Sequence, residues 1–196
     1  LYKEFQKYEV FVGHSFLSSS RRALRSTYGY AFVKNQFASS FTAAGFTAPQ
    51  DRLFRMAKLT LAYEEAGYIK ENLMNNFERY EDFNLGFQAQ LRLGYSARAL
   101  GALQDEFLPQ LAFAKGFAFG EGQYFLAGGD LYLIYDGQMT RQIVESWRAT
   151  FYHKDMLAPK NTLIAYAQVA QGFRLTADSQ LLMGGNNGLR GYKFNV

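Results

Sequence analysis

Apolar and polar residues alternate most regularly between positions 83 and 96. The apolar positions are Phe83, Leu85, Phe87, Ala89, Leu91, Leu93 and Tyr95, and the positions between them are Asn84, Gly86, Gln88, Gln90, Arg92, Gly94 and Ser96. A period of two predicts one β-strand with an apolar face and a polar face. A short strand of a soluble antiparallel sheet shows the same alternation. A strand this long, with Gln and Arg on its second face, is more typical of a barrel strand between lipid and water.

Weaker copies of this alternation occur in other stretches of the chain, each ended by turn-forming residues. These stretches are 7–13, 24–32, 58–63, 111–120, 130–135, 146–151 and 163–169. Phe11 interrupts the polar side of the first stretch, and Ile164 with Tyr166 leaves the two sides of the last stretch unassigned. Together the stretches predict about eight strands of an all-β, antiparallel, up-and-down transmembrane β-barrel that is only partly contained in the chain.

The connections between the predicted strands differ in length. Residues 120–123 predict a tight turn and 153–161 a fairly short one, whereas 36–51 and 96–107 predict longer loops. Short turns at one end and longer loops at the other are typical of outer-membrane barrels. Residues 64–82 fit neither class, and they are compatible with an extended strand and turn or with a short amphipathic helix.

Aromatic residues make up 17% of the chain, and Pro occurs only three times, a composition that favours strands over helices. Four aromatic residues lie near the ends of predicted strands: Tyr63, Tyr95, Tyr135 and Trp147. They suit aromatic girdles at two membrane interfaces and equally suit an ordinary core. No apolar stretch approaches the roughly 18 residues of a spanning helix, which excludes a helical membrane protein. A soluble β-sandwich, the remaining alternative, does not explain so many long two-faced strands.

The chain offers no recognisable catalytic or metal-binding set. It has no Cys, and its only histidines, His14 and His153, are far apart in sequence, so we expect no metal site. No Gly-x-Ser-x-Gly motif is present, and the Gly pairs at 128–129 and 184–185 lack the Lys-Ser/Thr of a phosphate-binding loop. We therefore expect neither an enzyme nor a cofactor, and no small-molecule substrate is evident.

The charged residues add little to this picture. The net charge is +4, and the one tight basic group consists of Arg21, Arg22 and Arg25. A solvated turn explains this group better than nucleic-acid binding does. The paired carboxylates are Glu64 with Glu65 and Glu78 with Glu81, and we interpret them as exposed charges.

One motif near the end of the chain is specific enough to suggest a family. Gly184 and Gly185 give the backbone the freedom to form a compact loop, and Leu189, Arg190 and Gly191 follow shortly afterwards. The Arg side chain projects from a slim hairpin, where it is either solvated or bound by a carboxylate that matches its planar fork.

Gly184-Gly185 followed by Leu189-Arg190-Gly191-Tyr192 resembles the loop motif of the bacterial surface antigen family, the outer-membrane assembly superfamily of BamA- and TamA-like barrels. The run at 82–86 also resembles this family. In the family the loop folds back into the barrel lumen, where its Arg, matched here by Arg190, binds an acidic group on the inner wall. Many members have Pro after the aromatic residue, where this chain has Lys193.

The resemblance implies a barrel of about sixteen strands in the bacterial outer membrane. Residues 1–196 are then a single incomplete barrel domain that ends in the Gly-Gly…Leu-Arg-Gly-Tyr loop. The implied function is insertion or translocation of proteins, with membrane lipid and client outer-membrane or secreted proteins as partners. A passive channel, or a barrel that anchors an exported domain, is the alternative.

Overall fold

The computed structural model describes residues 2–37, 51–72 and 80–175. The regular structure in these ranges is β-sheet, apart from one short 3₁₀ turn at Arg98–Leu100. In chain order the strands are β1 (Tyr2–Ser18), β2 (Arg22–Phe37), β3 (Arg52–Glu65), β4 (Tyr68–Glu71), β5 (Glu81–Asn84), β6 (Gln88–Ser96), β7 (Glu106–Gly120), β8 (Gln123–Tyr135), β9 (Thr140–Lys154) and β10 (Thr162–Phe173).

Eight of these strands form one sheet in the order β1-β2-β3-β6-β7-β8-β9-β10, and every neighbouring pair is antiparallel. The strands β4 and β5 form a separate antiparallel hairpin between β3 and β6 in sequence. The prediction of an all-β, antiparallel, up-and-down sheet of about eight strands is therefore confirmed. Within the described ranges, β1 pairs only with β2 and β10 only with β9, so the sheet is open.

The strand register divides the side chains between two faces, as alternation along a strand requires. Leu61, Leu91, Leu111 and Leu131 are successive partners across β3, β6, β7 and β8, and they form one apolar row. The residues one position away lie on the opposite side of the sheet and are mostly polar or small. We call these two sides the apolar face and the polar face. On β10, where the sequence left the sides open, Leu163 lies beside His153 on the apolar face.

The prediction of one strand over 83–96 is wrong, because the chain bends at Leu85–Phe87. The Oδ1 atom of Asn84 accepts hydrogen bonds from the backbone N–H groups of Gly67 (2.9 Å) and Gly86 (2.8 Å). A Cβ atom at Gly86 would lie 1.8 Å from the carbonyl oxygen of Glu65, so only glycine fits this close approach. The bend moves Leu85 to the polar face, where it packs beneath the hairpin.

The region 64–82, left open by the sequence, is extended where the structure describes it. The strand β3 ends at Glu65, and β4 and β5 then fold as a hairpin over the polar face of the sheet. The ring of Phe83 packs edge-on against Tyr152 of β9, with 6.1 Å between the ring centroids. Ile69 contacts the same cluster. The helical alternative is therefore wrong for the described part of this region.

The predicted division into short turns and long loops is only partly correct. Connections 19–21, 121–122 and 155–161 lie at one end of the sheet and are short. The longest connection, 66–87, lies at the same end because it carries the hairpin. At the opposite end, connections 97–105 and 136–139 are both shorter than it. Loop length alone therefore does not distinguish the two ends.

Candidate functional site

The polar face of the sheet is the candidate functional site, because it concentrates the charged side chains of the strands. Its charged members include Lys7, Glu9, Arg25, Arg52, Lys58, Glu64, Arg92, Glu106, Asp130, Arg148 and Lys154. Gln, Thr, Ser, Ala and Gly occupy many of the positions between them. These residues form three clusters, at β1–β6, at β8–β9 and beneath the hairpin.

In the first cluster, one carboxylate joins two lysines. Lys58 of β3 forms a close ion pair with Glu9 of β1, although β2 lies between these strands. The residue of β2 opposite Lys58 is Gly29, which has no side chain to block the crossing. Lys7 Nζ lies 3.8 Å from the same carboxylate. The cluster therefore depends on the absence of a side chain at one position of β2.

Two arginines of this cluster have no carboxylate partner among the described residues. Arg92 Nη1 lies 3.4 Å from Gln110 Oε1, and the Arg25 guanidinium makes no hydrogen bond or ion pair in the described ranges. Both are exposed and line one open cavity of about 430 Å³. Among the described residues, four cationic side chains and a single carboxylate line this cavity, so the charge of this described lining is net positive. The prediction that Arg25 belongs to a solvated turn is wrong, because Arg25 lies within β2.

The second cluster is balanced in charge. Asp130 Oδ1 accepts a hydrogen bond from Ser146 Oγ at 2.9 Å, and Arg148 Nη1 lies 3.8 Å from the same oxygen. Arg148 also lines a cavity of about 330 Å³ together with Gln88 and Gln90. This part of the polar face is hydrophilic without an excess of positive charge.

The third cluster fastens the β4–β5 hairpin to the sheet. The hydroxyl of Tyr124 donates a hydrogen bond of 2.5 Å to Glu71 Oε1, and Lys154 Nζ donates one of 2.8 Å to Glu71 Oε2. The Glu71 and Lys154 side chains are only 16% and 21% exposed. Burial raises the pKa of Glu71, but these two donors outweigh it and hold the pKa below its ordinary value. Sequence reasoning missed this cluster, because no local spacing links residues 71, 124 and 154.

The apolar face carries large side chains that no described residue covers. Tyr95, Phe107 and Tyr135 lie near one end of their strands and are successive partners across β6, β7 and β8. Tyr30 is exposed on the same face, in the middle of β2. The core interpretation is wrong for Tyr95, Tyr135 and Trp147, which are 51%, 39% and 51% exposed. Tyr63 lies on the same face beside Phe87 and is half-buried.

Charged residues also occur on the apolar face, and by register these are Glu4, Arg22, Lys34, Arg55, Glu65, Lys115 and Glu145. Glu65 lies 3.7 Å from Arg22 and 3.9 Å from Lys115, measured between their charged atoms. Glu145 of β9 stands between Leu131 and Gln171 in the register. The carboxylate pair at 64–65 is therefore not simply exposed. Glu64 lies on the polar face, where it accepts a 2.9 Å hydrogen bond from the Tyr68 hydroxyl, and Glu65 forms ion pairs on the apolar face.

The loop residues selected from the sequence lie outside the described residues. These are Gly184, Gly185, Leu189, Arg190, Gly191 and Tyr192. Glu78 of the second carboxylate pair also lies outside them. The described ranges hold no group of three or more potential metal ligands. They also hold no helix that is long and apolar enough to span a membrane.

The chain was compared with protein-family models, with curated proteins and with solved structures, and no match was found in any of the three. The two faces of the sheet and the sequence motif at 184–192 are therefore the features that bear on function.

Proposed function

We propose that this chain is part of an outer-membrane β-barrel that inserts or translocates proteins at the bacterial outer membrane. The observation that carries the proposal is the two-faced sheet. One face presents exposed Leu, Phe, Tyr and Trp side chains, and the other presents ion pairs and amides. A sheet with an uncovered apolar side of this size is unfavourable in water but suits a barrel wall with lipid outside and water inside.

The height of the apolar face agrees with this proposal. On β8 the outward residues run from Phe125 to Tyr135 with no charged residue among them. At about 3.3 Å per residue this segment is about 33 Å long. A strand tilt of about 40° reduces it to about 25 Å along the membrane normal, which is the usual height of the apolar band of an outer-membrane barrel. The row formed by Tyr95, Phe107 and Tyr135 then corresponds to an aromatic girdle at one interface.

The assembly role within the membrane rests on the sequence motif. The stretch from Gly184 to Tyr192 resembles the loop that occupies the lumen in the bacterial surface antigen family. The polar face would provide a hydrophilic wall for such a loop, with carboxylates that include Glu9 and Asp130. In this proposal Arg190 fixes the loop inside the barrel and holds the wall in a competent shape.

The membrane location can be tested with two neighbouring positions of β6. Spin labels at Gln90→Cys and Leu91→Cys, in a full-length background without other cysteines, occupy the polar and the apolar face of one strand. After reconstitution into lipid vesicles, we expect the label at 91 to collide more with dissolved oxygen, which partitions into lipid. The label at 90 should collide more with a water-soluble nickel chelate. Equal access of the nickel chelate to both labels would contradict a membrane wall.

The assembly role can be tested by Arg190→Ala in the complete protein, with Lys193→Ala as a matched control that also removes one positive charge nearby. We expect the first variant to assemble fewer client proteins and the control to behave like the wild type. Wild-type barrel folding together with wild-type client assembly in Arg190→Ala would refute the proposed role of the loop.

A passive channel is the second candidate function, and the cationic cavity at β1–β6 favours it. Arg25 and Arg92 are exposed on the polar face and no described carboxylate neutralises them, as expected of groups that meet mobile ions. Ion conductance together with normal client assembly in Arg190→Ala would favour the channel over the assembly role.

A further inference from the structure

We propose that Arg25, Lys58 and Arg92 form an anion site on the polar face that makes conductance through the barrel selective for anions. We call these three residues the cationic patch. They line the same cavity of about 430 Å³, together with uncharged donors such as Thr27 and Gln90. The inference rests on the proposed barrel wall, because only there does the polar face border an ion path.

Two members of the cationic patch, Arg25 and Arg92, form no ion pair among the described residues, because the carboxylate of the cavity binds lysines instead. Glu9 is the one carboxylate of the described residues that lines the cavity, and it forms ion pairs with Lys58 and Lys7. Arg25 lies on β2 and Arg92 on β6, with Thr60 and Ala62 of β3 between them in the register. The two guanidinium groups therefore stand two strands apart across a floor of small and uncharged side chains. An anion can approach both without displacing an existing ion pair.

The remaining charges of the polar face do not cancel this excess. Asp130 lies beside Arg148, and Glu71 is bound by Lys154, so these two clusters are close to neutral. Glu64 keeps its negative charge, because the Tyr68 hydroxyl that it binds is uncharged, but it lines the neighbouring cavity and not this one. The other carboxylates near this face are Glu81 and Asp82, on the hairpin, and Glu106, which is buried at the far end of β7. None of them lines the cavity.

Coulomb's law gives the size of the expected effect. One unit charge about 7 Å from the path changes the energy of a monovalent ion by about RT in water. Salt screening reduces this by about half at physiological ionic strength. Because an anion is stabilised where a cation is destabilised, each charge removed should lower the anion-to-cation permeability ratio about two- to three-fold. Charged side chains lining a pore act in this way on ion selectivity.

The test is the reversal potential of the full-length protein in planar bilayers under a KCl gradient. We expect chloride to permeate better than potassium in the wild type. In the variant Arg25→Gln/Arg92→Gln, which lacks two positive charges, the chloride-to-potassium permeability ratio should fall about four- to nine-fold. Lys115→Gln is the matched control, because it removes a positive charge from a residue whose register position is on the apolar face, and it should leave the ratio unchanged.

The outcomes separate this inference from the proposed function. A wild-type ratio of one, a preference for potassium, or an unchanged ratio in the double variant overturns the anion site. If the protein does not conduct ions but the label at Leu91→Cys still contacts lipid, the anion site is refuted and the barrel wall is not. A label at that position that does not contact lipid overturns the barrel wall itself. A heat-dependent shift in electrophoretic mobility that matches the wild type checks that the variant has folded.

Discussion

Removal of the Glu71 carboxylate should release the β4–β5 hairpin from the polar face. Glu71 is the one charged group of the hairpin whose side chain bonds to two strands of the sheet among the described contacts, through Tyr124 of β8 and Lys154 of β9. The hairpin is also held by the apolar packing of Ile69 and Phe83 around Tyr124 and Tyr152. On its other side, Tyr68 and Asn84 donate hydrogen bonds to Glu64 of β3. We therefore choose Glu71→Ala as the perturbation.

The magnitude follows from the two hydrogen bonds that are lost. A hydrogen bond to a charged group contributes about 1.5 to 3 kcal/mol, and two bonds to one carboxylate are not fully additive. Both charged side chains retain some solvent contact, so we take the lower part of the combined range, about 2 to 3 kcal/mol. This corresponds to a roughly 30- to 150-fold increase in the equilibrium constant for opening the hairpin.

Amide hydrogen exchange of the folded protein measures this opening directly. We expect faster exchange of the amides of β4 and β5 in Glu71→Ala, and unchanged exchange in the middle of β8 and β9. Asp82→Asn is the matched control, because Asp82 is exposed and lies on the other side of the hairpin. Unchanged exchange in Glu71→Ala, or an equal effect in both variants, would refute the argument that this carboxylate fastens the hairpin.

The same cluster gives the hairpin a defined pH dependence. The folded-state pKa of Glu71 lies below its ordinary value of 4.5, so the charged form is favoured by folding. Its contribution is therefore complete above about pH 4.5 and is lost as the pH falls through the folded-state pKa. Exchange of the β4 and β5 amides, corrected for the intrinsic pH effect, should accelerate only at acidic pH, and Glu71→Ala should abolish this dependence.

Three further variants test other parts of the structure. A Cβ atom at Gly29 would lie 2.6 Å from a backbone oxygen of β1, so Gly29→Ala should lower the free energy of unfolding by about 1 to 3 kcal/mol. Gly13→Ala is the control, because a Cβ atom there makes only ordinary contacts at 3.6 Å and should leave urea unfolding nearly unchanged. The guanidinium of Arg141 holds the pKa of Asp136 well below its usual range. The variant Arg141→Gln should therefore raise this pKa in an NMR titration, and acidification should then destabilise the turn at a higher pH than in the wild type. Glu145→Leu removes a charge from the apolar face and should stabilise the protein in lipid by roughly 1 to 2 kcal/mol. A loss of stability in vesicles would contradict a lipid-facing position for this residue.

The sheet could be predicted from the sequence because its two faces have different surroundings. Every strand that separates an apolar side from a polar side alternates between apolar and polar residues. The type of each residue therefore indicates the face on which it lies. This local rule was sufficient for Arg92, Arg148 and Leu131, which lie on the expected faces. Where both sides carry apolar residues, as at Ile164 in β10, the sequence could not decide, and the register with β9 assigns the faces.

The features that the sequence did not reveal depend on contacts between distant residues. The bend after Asn84 arises because Gly86 meets the backbone of Glu65, about twenty residues earlier in the chain. The hairpin anchor joins Glu71 to Lys154 across most of the described sheet. The sequence of a single segment does not determine which distant residues it contacts. The alternation over 83–96 even favoured a continuous strand. The role of Arg190 remains a prediction, because the loop lies outside the described residues.

The open edges of the sheet limit how the chain can be placed in a membrane. β1 and β10 each have one side whose backbone N–H and C=O groups pair with no strand in the described ranges. Lipid offers these groups no hydrogen-bond partner, and each unsatisfied group costs several kcal/mol in the membrane core. The apolar face nevertheless extends to both edges, with Val10 and Val169 strongly exposed. A membrane location therefore requires a partner strand for β1 and for β10, beyond the pairing that the described ranges show. The barrel proposed for this chain needs these partners, and the resemblance to the surface antigen family implies that further strands supply them.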